Sequence, residues 1–157
     1  MRMETEYLVS AKSAEALDRI FNQWGDTYDK EDDCSFESYD TDVFGVMEKV
    51  IKVVHQMEEC GQKDEFTVVG KCDTDYDCAI FAIEYSGDEP LIKASRADPE
   101  ENAGRYCQFC DAEYEEIQKL LKRNKNRTFK QAIKDELPLG GFLIISYDEW
   151  VKSILSK

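Results

Sequence analysis

A chain of 157 residues is long enough to bury one sizeable core and too short to make two independent domains the expectation. With 42% hydrophobic residues, eight Phe, eight Tyr and two Trp, the composition excludes a disordered acidic tail. The formal net charge of -14 disfavours nucleic acid and anionic membrane as direct partners and favours basic protein surfaces.

Taken in chain order, Thr5 to Ser10 alternates and reads as a first strand. Ser13 is placed to cap a helix whose apolar face is Leu17, Ile20, Phe21 and Trp24. An acidic stretch follows, within which only Cys34 to Tyr39 looks extended, predicting a short exposed strand. Asp42 caps the most strongly patterned helix, which carries Phe44, Met47, Ile51 and Val54 along one side, is widened by Val43, Val46, Val50, Val53 and Met57, and is stopped by Gly61. Phe66 to Cys72 and Cys78 to Tyr85 read as a hairpin, and Pro90 to Ser95 as a further extended piece. Helices are predicted over about 112–123 and 128–136. A short apolar strand is predicted in Gly140-Gly141-Phe142-Leu143-Ile144-Ile145-Ser146, and a final helix behind the Ser146/Glu149 capping box.

This order predicts a single α+β domain with a mostly antiparallel sheet and helices packed on one face. Its core is expected over about 1–97, with a C-terminal helical and strand extension over about 105–157. The N-terminus lacks the apolar run of a secretory signal and no stretch is apolar enough to span a membrane, so the expected compartment is the cytoplasm, with thiols reduced.

Charge is spread unevenly along the chain. Residues 1–118 hold 30 Asp and Glu against 11 Lys and Arg, whereas 119–134 hold seven bases and no acid. The molecule is therefore expected to be electrically lopsided. The densest acids are Asp29, Glu31, Asp32, Asp33, Glu37, Asp40 and Asp42, and these are the candidate partner-binding residues. The basic residues, Lys119, Lys122, Arg123, Lys125, Arg127, Lys130 and Lys134, have only Phe129 as an interleaved aromatic. They read better as a solvated face than as a phosphate stripe.

Cys72, Cys78, Cys107 and Cys110 are candidate ligands for a four-thiolate zinc site, since a cross-strand pair at the hairpin end and a C-x-x-C at a helix start supply four sulfurs. The five-residue spacing inside the first pair is wider than zinc motifs use, and buried thiols are common as plain apolar groups. The same C-x-x-C as a redox pair lacks the preceding apolar strand such sites have. Asp73, Asp75, Asp77, Ile80 and Glu84 match oxygen-ligand positions of a calcium loop, but Cys78 stands where the turn glycine belongs and both flanks read as strand. His55, the single histidine, reads as structural, and Gly140-Gly141 as a tight turn, with no phosphate-binding motif beside it.

No enzyme signature stands out, and pairing carboxylates as acid and base from sequence would be arbitrary. The expected function is non-enzymatic: an acidic intracellular interaction protein that binds a basic protein surface, in the manner of a nucleic-acid-mimicking inhibitor of a nucleic-acid-binding enzyme. Antirestriction, anti-CRISPR and immunity proteins offer analogies of charge only. A small zinc-binding adaptor is the alternative, and a carboxylate enzyme with a divalent ion has the least support.

Overall fold

The computed structural model describes residues 3–24, 35–39, 42–74, 78–97 and 111–156. The first strand, β1 (Met3–Ala11), leads into α1 (Ala14–Trp24), whose start is fixed by the Ser13 hydroxyl accepting from the Ala16 amide at 3.1 Å. The short strand β2 (Ser35–Tyr39) precedes α2 (Val43–Cys60). Asp42 caps α2 by accepting from the Gly45 amide, and Gly61, at φ 71°, ends it in the left-handed conformation glycine tolerates. Nine of the helix's residues are buried. At roughly 1.5–3 kcal/mol per large apolar side chain, α2 contributes more than any other helix among the described residues.

The hairpin predicted from the two apolar runs is present as β3 (Phe66–Thr74) and β4 (Cys78–Tyr85), and β5 (Leu91–Ala97) extends it. Then come α3 (Asp111–Leu121), a two-residue β6 (Arg127–Thr128), α4 (Phe129–Lys134) and α5 (Tyr147–Leu155). The six strands form one antiparallel sheet in the order β2-β1-β3-β4-β5-β6. The expected α+β class with an antiparallel sheet is therefore observed. Gly70 lets β1 and β3 close up, because a Cβ there would fall against Tyr7 and the carbonyl of Glu6.

One face of the sheet holds the main core. Tyr7, Val9, Phe66, Val68, Phe81, Ile83 and Ile92 pack there against α1, α2, α4 and α5, and Phe129, Leu139, Trp150 and Ile154 of the C-terminal part belong to the same cluster. Trp150 is fixed edge-on to Phe44 at 5.7 Å and donates its indole N–H to Glu48 at 3.0 Å. Expecting all helices on this face was too simple: α3 lies on the other, where Ile117 and Leu121 pack against Val69, Cys78 and Ile80.

The strand predicted at Gly140 to Ser146 is absent. Gly140 takes φ 79°, which turns the chain, and Phe142 and Ile144 then point outward at 83% and 88% exposure. A run of apolar letters carries no alternation that would separate a buried strand from an exposed strap.

Candidate functional site

Of the seven candidate acids the structure describes two, Glu37 and Asp42. Glu37 lies in β2, in register with Glu6 of β1, and β2 is the edge strand of the described sheet. Asp42 is taken up by the fold, as the cap of α2. Burial pushes its carboxyl above the usual carboxylate range, while the Gly45 amide pulls it down. Asp29, Glu31, Asp32, Asp33 and Asp40 lie outside the described residues.

The basic segment sits at the opposite edge. β6 pairs Arg127 with Ile92, and Asn124 donates from its side-chain amide to the Ala94 carbonyl at 3.3 Å, which ties the turn after α3 to β5. Lys119, Lys122, Arg123, Lys125, Lys130 and Lys134 are exposed there, while Arg127 is held by Asp135 at 2.9 Å. Between β2 and β6 are five strand spacings, or about 24 Å. That is about three times the Debye length of about 8 Å at physiological salt, so the bases do little to neutralise Glu37 of β2.

Two further pairs of acids each act on a tyrosine from places far apart in sequence. Burial raises the Tyr85 hydroxyl pKa, and the charges of Glu58 and Asp88 raise it further; burial, Glu89 and Asp148 do the same to Tyr147. Glu58 and Asp88 thus act on Tyr85, and Glu89 and Asp148 on Tyr147, each pair drawn from two elements far apart in sequence. Lys63 reaches the Gly87 carbonyl, and Lys130 lies 3.9 Å from Asp148 with both side chains exposed. Sequence reading missed these pairs because no single stretch carries them. The clue was Glu58-Glu59 in the last turn of a helix that has no base there, an arrangement the helix dipole disfavours.

The cysteines divide differently from expectation. Register pairs Cys72 with Ala79 and Asp73 with Cys78. Because facing residues share a side and neighbours alternate, Cys72 enters the main core and Cys78 the α3 side. The two sulfurs therefore do not point one way, and a single ion between the strands does not reach both. Cys107 and Cys110 lie outside the described residues. Burial raises both described thiols, Cys78 further through Asp73, which opposes the thiolate that metal binding or redox exchange needs. Among the described residues no group of three His, Cys, Asp or Glu side chains is placed to hold a metal.

The calcium-loop pattern does not gather either. Asp73 sits across from Cys78, and Glu84 lies six residues further along β4, about 20 Å away. Asp75 and Asp77 lie outside the described residues. His55 is partly exposed and lies 3.0 Å from Glu59, one turn on along the surface of α2.

Gly140-Gly141 does form a turn, and its purpose is close packing. A Cβ on Gly140 would lie 2.7 Å from the Cys72 sulfur, and one on Gly141 would meet the Asp42 carboxylate. The segment after α4 is thereby laid over a row of small floor residues, Cys72 and Ala79, that ends at Arg96. The backbone bond from the Val43 amide to the Leu139 carbonyl, 3.1 Å, holds it down. Beneath it is a pocket of about 460 Å³ walled by Phe44, Ile133, Leu137 and Leu143, with Arg96 and Glu136 contributing its charged groups.

No family model, curated protein or solved structure matches this chain. No helix among the described residues is long and apolar enough to cross a membrane.

Proposed function

We propose that the protein is a non-enzymatic acidic interaction module that docks its β2 edge, with the acid-rich segment leading into it, onto a basic protein surface. The observation that carries this reading is the sheet order, which sets the basic segment at the far edge from β2. The net charge of -14, with the basic segment about 24 Å from Glu37 of β2, supports an anionic flank formed by β2 and the acid-rich stretch before it. Such a flank steers cationic surfaces into contact and can occupy sites that otherwise hold phosphates. In its sharper form the partner is a nucleic-acid-binding enzyme whose groove the carboxylates fill.

Affinity capture from the native host, eluted by a salt gradient, tests both partner and force. Association with the captured protein is expected to slow by at least about tenfold from low to high ionic strength. Replacing Asp29, Glu31, Asp32 and Asp33 with their amides should remove much of that salt dependence. An affinity that stays flat across the salt range rejects electrostatic docking.

A further inference from the structure

We infer that the pocket under the 137–143 strap is a binding site for a small apolar carboxylic acid. Its position is distinct from the β2 edge, and nothing in the docking reading uses it. The volume of about 460 Å³ falls inside the range of small-molecule sites, roughly 300–1,000 Å³. Three features of the chain build it. Cys72 and Ala79 are the small members of a cross-strand row, so the floor is low where neighbouring rows are filled by Phe81 and Ile83. Gly140 and Gly141 let the strap touch that floor at one end, on Cys72 and Asp42, which closes the pocket there. Phe44, Ile133, Leu137 and Leu143 make the walls apolar.

The ligand's charge follows from the end of the row. Arg96 is the cross-strand partner of Ala79, so its side chain leaves the sheet on the pocket side, and it is the one basic residue among the described residues of the lining. A guanidinium matches a carboxylate through paired N–H donors. The remaining charged group, Glu136, works against an anion and selects for a ligand that keeps its charge close to Arg96 and its apolar body on the floor. Phe142, 83% exposed at the rim, is the surface such a ligand would cover.

The test is a titration of the full chain with straight-chain acids from butanoate to decanoate, kept below their aggregation limits. It is followed by calorimetry and by Trp150 emission, since Trp150 touches the wall residue Phe44. Affinity should tighten about fourfold per added methylene until the pocket is full. The primary alcohol of equal length should bind at least about tenfold more weakly, and Arg96→Gln should lose a similar factor for the acid while leaving the alcohol unchanged. Glu136→Gln should tighten the acid. Ala79→Leu, which raises the floor, should abolish binding of both; if it fails to fold, the exposed Arg96 and Glu136 variants decide the question. No saturation with any acid, equal affinity for acid and alcohol, or an Arg96→Gln variant that binds the acid undiminished overturns the assignment. No protein partner is present in this titration, so its failure leaves the docking reading standing, and failure of the salt test leaves this one.

Discussion

Neighbouring residues of the same strands lead two different lives. Tyr7 and Phe81 point to the face covered by four helices and are wholly buried among apolar side chains. Glu6 and Lys71, facing partners on the opposite face, are 8% and 1% exposed, and Lys71 stands 3.1 Å from Asp73. One face gains its stability from area removed from water. The other buries charge, and its apolar cluster is small. Burying ions is unfavourable unless they stay paired, so the α3 face is where loss of a single partner should hurt out of proportion to its size.

The comparison can be broken most directly at its apolar side. Phe81→Ala should lower stability by about 3–5 kcal/mol, and Ile117→Ala, in the smaller cluster, by nearer about 2 kcal/mol. Urea midpoints at unchanged slope measure both. If Ile117 proved the more costly, the ranking of the two faces would be reversed. Next in size, Lys71→Met should lose roughly 3 kcal/mol by leaving the buried Glu6 uncompensated, and adding Glu6→Gln to it should restore a large part. A double variant no better than the single one would show that Glu6 is not held by Lys71.

The smallest effect concerns the rim. Arg19 of α1 binds Asp64 through two 2.9 Å hydrogen bonds, and these hold the Asp64 carboxyl below its ordinary pKa. A depressed folded pKa means that the stability is present above the unfolded value, about 3.9, and is lost as pH falls through the folded one. Asp64→Asn should therefore be less stable than the parent at neutral pH, and the two should converge in acid. Asp42 has the opposite sign: its raised carboxyl favours the folded state as pH drops, so Asp42→Asn, which still caps the helix, should match or exceed the parent at pH 7. Chemical denaturation across pH reads both curves.

Local rules carried the elements a long way. Asp42, Gly61, Ser13 and Ser146 act as the caps and stops their residue types imply, and the two apolar runs around residue 75 form their hairpin. What stayed hidden depends on partners distant in sequence. Nothing in β1 announces that it lies between β2 and β3, nor does the pattern of α3 say which face it covers. The pairing of Cys72 with Ala79 rather than Cys78 turns on a one-residue register, which reverses the side each sulfur takes. The acids that act on Tyr85 and on Tyr147 come from elements distant in sequence and meet them only in the fold.

The bases of the 119–134 segment stand at the β6 margin of the sheet, five strand spacings from Glu37 of β2, so the cationic groups of that segment are gathered at one end of the described sheet. A cationic body approaching from any direction exerts a torque as well as a pull. Under the docking proposal, that torque swings the β6 margin away and brings β2 forward while the two surfaces are still several water layers apart.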